Sequence, residues 1–339
     1  MYTKELYTRK EGGSLPQLVS AENENMQSRY VVQKILELRE QGVPLEDMAV
    51  LFRSSFLSFD LEIELTKSNI PFLKFGGFKF IETAHVKDIV AYLRVLENPR
   101  DVVSWNRILL LLDGVGPRTA EKVVDEILRR HLNPVSGEEG IVTSKFWNEF
   151  HGYPEPVTKL FGLLGRISPS KYGPGEKMFQ IQQYYEPILR ARYDDHVKRK
   201  KDLEMLQNIT ERYKEMSTLL TDLALEPPNE SIVDVESPGP EKEYLTLSTI
   251  HSAKGLEWHS VFIIYALEGK FPAMRSVGTD AELEEERRLM YVACTRAKEN
   301  LFITYPMNIF DRESGMILTK PSRFIRGIDE KLLEPWVVE

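Results

Sequence analysis

Two stretches of the chain carry residue types able to handle a phosphate-bearing ligand. The first, Leu247–Trp258, reads LSTIHSAKGLEW and crowds His251, Ser252, Lys254 and Glu257 around Gly255. The second, Glu285–Lys298, reads EERRLMYVACTRAK and sets out Arg287, Arg288, Arg296 and Lys298. Arg296 follows Thr295 at the expected end of a helix, just before an apolar strand. There it can be held rigid and aimed across a cleft, and its planar donor fork suits phosphate oxygens bidentately. Plainer readings stand beside these. Lys254, Gly255 and Glu257 are also turn formers. Glu284–Arg288 also fits an exposed helix face of ion pairs, each worth about 0.3–0.5 kcal/mol.

The surrounding elements must position these groups. Met48–Phe52 (MAVLF) reads as a buried strand, Pro71–Phe75 as a second ended by Gly76-Gly77, and helices precede and follow them. Val86–Leu96 is amphipathic. From Asn98-Pro99 to about Leu225 the pattern is helix after helix: Asp101–Leu112, Pro117–Arg130, Val157–Ile167, Glu176–Arg192 and a kinked His196–Leu225. The Pro-rich stretch Glu226–Glu241 reads as a linker. Strands return at Tyr244–Ile250, Ser260–Tyr265 and Asn300–Tyr305, with a helix at Ala281–Thr295 and a final helix expected from Pro321. The expected fold is therefore α/β, a parallel sheet domain (1–97 and 241–339) interrupted by an all-helical insertion (98–225) and a linker (226–240).

Composition narrows the classes. The 339 residues are 42% hydrophobic and 28% charged, an ordinary globular balance. No run approaches the ~18 apolar residues of a membrane span, so no membrane partner is expected. The single cysteine, Cys294, makes no internal disulfide, and no Cys/His cluster marks a metal site. A reducing cytoplasm is the expected compartment. The net charge is −8 but uneven: residues 98–225 hold 19 basic and 18 acidic side chains, the remainder 25 and 34. A bound nucleic acid would use local patches. One candidate is the Gly114-Val115-Gly116 turn, which opens a helix carrying Arg118 and Lys122 and offers backbone N–H groups to a phosphate. It also reads as a plain helix–turn–helix packing element. The basic run Lys198–Lys201 is either a second contact or a solvated helix face.

TIHSAKGLEW…VFI followed by EEERRLMYVACTRA closely resembles motifs V and VI of the UvrD/Rep/PcrA group of superfamily-1 DNA helicases. AVLFRSS (Ala49–Ser55), the block Asn69–Pro99 with its GGFKF and KDIVAYLR, and DGVGPRTAEKV (Asp113–Val123) resemble further family segments in the same order. The resemblance implies a RecA-like motor domain carrying a helical duplex-binding subdomain. It implies that Arg296 is an arginine finger for the γ-phosphate, and that Glu257 and Gly255 lie at the nucleotide. It places His251 between nucleotide and single-stranded DNA, Thr249 on the DNA backbone and Lys79 near the DNA path. Gly114, Gly116, Arg118 and Lys122 would hold duplex phosphate. Thr83 and His85 stand where the family has arginine and glutamate, and Trp258 replaces a phenylalanine.

The phosphate-loop pattern G-x-x-x-x-G-K-[ST] does not occur, and Gly269-Lys270 is followed by Phe271. No Asp-Glu strand end offers a magnesium site. The family carries both on a first RecA-like domain. The expectation is thus the C-terminal half of an ATP-dependent 3′-to-5′ DNA helicase or translocase. ATP and Mg2+ would be bound mainly by its own N-terminal motor domain, and the chain alone would be inactive. Single-stranded DNA and single/double-strand junctions would be its partners, largely independent of sequence. The alternatives are the motor part of an AddA/RecB-type helicase–nuclease and a non-catalytic DNA-binding module.

Overall fold

The computed structural model describes residues 13–77, 79–132, 152–168, 171–224, 243–311 and 315–338. The expected linker lies wholly outside these residues. Two compact units emerge: residues 1–78 with 226–339, and residues 79–225.

The first unit begins with β1 (Gln17–Ala21) and α1 (Glu24–Glu40). Asn23 starts this helix, its side-chain oxygen accepting from the Met26 amide at 3.0 Å, and Gly42 follows its end at φ +91°. Next come β2 (Met48–Phe52), α2 (Phe59–Lys67) and β3 (Phe72–Phe75). In the helical unit lie α3 (Ala84–Glu97), α4 (Val102–Leu109), α5 (Pro117–Leu132), α6 (Glu155–Ile167), α7 (Pro174–Arg192), α8 (His196–Thr210) and α9 (Met216–Ala224). The chain then returns to the first unit with β4 (Leu245–Thr249), β5 (Trp258–Ile263), α10 (Asp280–Cys294) and β6 (Ala297–Pro306). It closes with the small hairpin β7 (Ile309–Asp311) and β8 (Met316–Leu318), then β9 (Glu334–Val338).

Seven strands form one sheet in the order β3-β4-β2-β5-β6-β1-β9, every neighbouring pair parallel. The central strands are apolar on both faces, as a sheet covered on both sides requires. On one face Ala49, Leu51, Val261, Ile263 and Ile303 pack with Leu289, Met290 and Ala293 of α10. Phe262 and Phe302 stack at 4.6 Å between centroids. Helix α10 is fixed at its start by a reciprocal cap: Thr279 Oγ1 accepts from the Glu282 amide, and Glu282 accepts from the Thr279 amide at 3.0 Å.

The fold departs from the sequence expectation in three places. No helix starts at Pro321; the segment turns irregularly and ends in β9, which pairs with β1. Gly327 and Asp329 break any helical period there, and the short β-branched run ending at Val338 fits a strand. The stretch 196–225 is two helices, parted by a turn in which the Arg212 and Tyr213 amides bond three residues back and Tyr213 donates to Asp222 at 2.6 Å. Helix α3 groups with the helical unit, whose boundary falls at 78/79 where the sequence placed it at 97/98. It packs against α4, α7, α8 and α9. Its Asp88 accepts from Arg107 (2.7 Å) and Tyr185 (2.6 Å), and its Tyr92 meets Tyr184 and Tyr185 edge-on. Amphipathic spacing reveals that α3 has an apolar face but not which unit covers it. Among the described residues no helix is long and apolar enough to cross a membrane.

Candidate functional site

Parallel strands put all their C-terminal ends on one sheet edge and all their starts on the other. This divides the first motif in two. Thr249 ends β4 on the C-terminal edge, whereas Glu257 immediately precedes β5 on the opposite edge. A five-residue strand separates the two by about 16 Å. The loop 250–257 spans that distance in turns, with the Ser252 and Ala253 amides both bonding back to Thr249 O at 3.0 and 3.1 Å. Gly255 lies in it at φ +88°, a value that favours glycine.

On the C-terminal edge three loops meet because β3, β4 and β2 are neighbours. Thr249 Oγ1 donates to Ser252 Oγ at 3.0 Å, and Thr249 is 9% exposed. His251 is exposed beside it. Gly76, at φ +81°, lies so close that a Cβ there would collide with the Thr249 hydroxyl and Ser252 Oγ; one on Gly77 would strike Ser55. Beneath this loop Lys74 is 1% exposed at its side chain and bonds to Glu62 at 2.6 Å and Ser55 O at 3.2 Å. Its ammonium lies 4.7 Å from the centroid of the Phe59 ring. The sequence reading missed this buried pair, and the only trace of it is a lysine inside an otherwise apolar strand.

On the opposite edge Arg296 stands between the end of α10 and the start of β6. Its Nε donates to Val292 O (3.1 Å), Nη1 to Leu256 O (2.7 Å) and Nη2 to Thr295 Oγ1 (3.1 Å). The guanidinium is thereby folded onto the end of its own helix and the carbonyl before Glu257. Three of its five N–H donors are so used; the other two have no partner among the described residues. Lys298 pairs with Glu257 at 3.3 Å, both exposed. Arg287 and Arg288 pair with Glu284 and Glu285 three residues earlier, as an exposed helix face does. Glu286 differs: it is buried and holds Arg53, from the end of β2, in a two-pronged bond of 2.6–3.1 Å. The sequence reading missed this contact as well.

In the helical unit the glycine turn is present. Gly114 has φ +72°, Val115 is buried, and the Thr119 and Ala120 amides bond to Gly116 O at 3.0 Å. Gly114, Gly116, Arg118 and Lys122 are exposed, while in the first turn of α5 Pro117 has no amide hydrogen and the Thr119 and Ala120 amides are committed to Gly116 O. Arg192 braces the approach by donating to Leu110 O at 2.7 Å. Lys79 is half-buried before a short turn at Phe80–Glu82. The basic run is partly committed within the unit: Arg199 bonds to Asp195 (2.6 Å) and to His85 Nδ1 (3.0 Å), and Lys200 lies 3.5 Å from Glu186. Since arginine only donates, His85 Nδ1 accepts, and its Nε2–H donates to Asp202 at 2.9 Å.

A family profile described as the UvrD-like helicase C-terminal domain matches residues 2–308. Two similar curated proteins are ATP-dependent DNA helicase PcrA of Staphylococcus epidermidis (31% identical) and of Staphylococcus aureus (32%). Each alignment runs over 348 residues, 98% of this chain and 46% of the relative, so the chain spans about half the length of the curated relatives it matches. On the strength of the family match over nearly its whole length, the chain belongs to the UvrD-like helicase C-terminal domain family.

Proposed function

We propose that this chain is the second motor half of an ATP-dependent DNA helicase that translocates 3′ to 5′, acting with a first motor domain on the same protein. The observation that carries the reading is Arg296. It is a guanidinium with two N–H donors that have no partner among the described residues, held at a sheet edge beside Glu257 and Lys298. Such a group suits the charge that builds on a transferring phosphoryl group, where arginine fingers contribute about 10³–10⁵ in rate. To reach a γ-phosphate, Arg296 exchanges its bond to Leu256 O for phosphate oxygens, so the loop carrying Glu257 responds when nucleotide arrives. That loop leads back to His251 and Thr249 on the other edge, the proposed single-stranded DNA side. Nucleotide and DNA are then read at the two ends of one eight-residue segment.

The residues present fit the anionic side of ATP. They do not form a magnesium site: among the described residues no three His, Cys, Asp or Glu side chains cluster as ligands. The Mg2+ that ATP brings is assigned to the first motor domain, and this chain supplies charge stabilisation and coupling. The turn at Gly114–Gly116 with Arg118 and Lys122 is proposed to hold duplex phosphate without reading sequence, and Lys79 to lie near the strand. A cytoplasmic role in DNA metabolism follows from the same reading.

The test is reconstitution with a first motor domain. DNA-stimulated ATP hydrolysis is expected, falling by about 10³-fold or more in Arg296→Ala. An unchanged rate in that variant overturns the assignment. The chain alone is expected to show no DNA-stimulated turnover, and turnover by it would refute the division of labour.

A further inference from the structure

Helix α10 carries a carboxylate within its buried face. Glu286, Leu289, Met290 and Ala293 are its buried residues, spaced as one side of a helix. The last three pack on the sheet. Glu286 instead accepts from Arg53: Nε reaches both carboxylate oxygens (2.8 and 3.1 Å) and Nη2 reaches Oε1 (2.6 Å). Stability does not explain the choice, since apolar residues of the same volume in such a place are often as stable or more so. What the fork supplies, and methyl groups do not, is direction. The contacts of Leu289, Met290 and Ala293 tolerate sliding and rotation, whereas a planar guanidinium held on a carboxylate resists both.

The two partners are rooted at places that matter. Arg53 directly follows β2, whose last residue, Phe52, is in register with Thr249. The Ile250 amide donates to Phe52 O at 3.1 Å, and Ser55 lies where a Cβ on Gly77 would strike it. Arg53 thus springs from the loops of the C-terminal edge. Glu286 belongs to the helix that ends at the other edge. About 12 Å of helix separates it from Cys294, and Arg296 follows two residues on. There Arg296 Nε donates to Val292 O, in the last turn of α10, so the guanidinium goes where the helix goes.

We propose that Glu286 is a positioning residue for Arg296. Through Arg53 it fixes the rotation and height of α10 over the sheet, and with them the place of the Arg296 guanidinium. The fork thereby ties that guanidinium to the edge assigned to single-stranded DNA. The role rests on the motor reading above, in which Arg296 stabilises charge on a transferring phosphoryl group.

The test uses the chain joined to a first motor domain, with ATP varied at saturating single-stranded DNA. Arg53→Met with Glu286→Leu removes the fork, keeps the volume and leaves no buried charge. Its kcat is expected to fall about tenfold with KM for ATP unchanged, because the group it misplaces acts in the transition state. In an Arg296→Ala background the same two substitutions are expected to cost nothing further, because that group is gone. Arg53→Lys, which keeps the charge without the fork, goes through the same cycle and decides the matter if the apolar pair does not fold. An unchanged kcat in a folded variant overturns the proposal, and so does a raised KM at full kcat. A loss that multiplies with that of Arg296→Ala overturns it too, since it marks a general structural effect. Each of these leaves the motor reading standing as long as Arg296→Ala itself is slow. If Arg296→Ala is as fast as the parent, the motor reading fails and the positioning role fails with it.

Discussion

Arg53 and Glu286, 233 positions apart in sequence, form a two-pronged ion pair that joins the end of β2 to the first half of α10. Their side chains are 18% and 3% exposed. Helix α10 runs from this pair on the C-terminal edge down to Arg296 on the other edge. The pair therefore pins one end of the helix whose other end carries the proposed finger.

Removing one partner of such a pair leaves a buried charge alone, at a cost of about 3–5 kcal/mol. Arg53→Ala is expected to lower the stability of the sheet unit by that order in urea unfolding. Arg53→Ala with Glu286→Gln should recover much of it, because no buried charge is then left. A single variant as stable as the parent would show that the pair contributes nothing.

Gly76 and Gly255 test close approach against backbone freedom. Both have positive φ, +81° and +88°. A Cβ on Gly255 meets nothing within 4 Å, whereas one on Gly76 meets Thr249 and Ser252. Gly255→Ala is expected to cost only the backbone term of about 1–2 kcal/mol. Gly76→Ala adds the collision, for about 2–4 kcal/mol in all. Thermal unfolding of the two variants ranks them, and equal losses would mean that the loop moves aside freely.

The central strands and most helices were legible because their apolar runs are long and their periods regular. Met48–Phe52 reads as a buried strand and is one, and the helix expected at Ala281–Thr295 is found at Asp280–Cys294. Strand β9 was hidden by its Glu-Pro start and by a run whose side chains stay largely exposed. Its identity depends on pairing with β1, over three hundred residues away. Motif residue types pointed to phosphate chemistry, yet their division between two sheet edges follows from strand order, which no local pattern encodes. The Arg53–Glu286 pair joins residues 233 apart, and the Lys74–Glu62 pair joins a strand to the helix before it at a separation of 12, which neither a helical nor a strand period links.

Cys294, near the end of α10, has a thiol pushed up to about 11 by burial. A folded-state pKa above the unfolded one means that stability is complete below the ordinary thiol range. It is lost as pH rises from about 9 through 11, because only the unfolded chain ionises readily. Relative to Cys294→Ala, the parent is expected to lose of the order of 2 kcal/mol across that window. At pH 8 the thiol should react with a disulfide reagent far more slowly in the native chain than in denaturant. Equal rates in both states would show that the thiol is accessible.

Arg118 and Lys122 sit one helical turn apart on the exposed face of α5, directly after the Gly114–Gly116 turn. If this face holds duplex phosphate, each cation releases about one counterion on binding. The double variant Arg118→Ala with Lys122→Ala should then weaken duplex binding similarly for unrelated sequences. It should also flatten the dependence of log affinity on log salt by about 2. Both residues are exposed and away from the buried Val123 and Ile127 face, so thermal stability should change little. Fluorescence anisotropy with labelled duplexes across a salt series measures the slope. A uniform loss of affinity with an unchanged slope would place the phosphate contacts elsewhere, leaving the turn a packing element. A loss confined to one sequence would contradict a backbone-reading role, since amides and cations aimed at phosphate carry no base information.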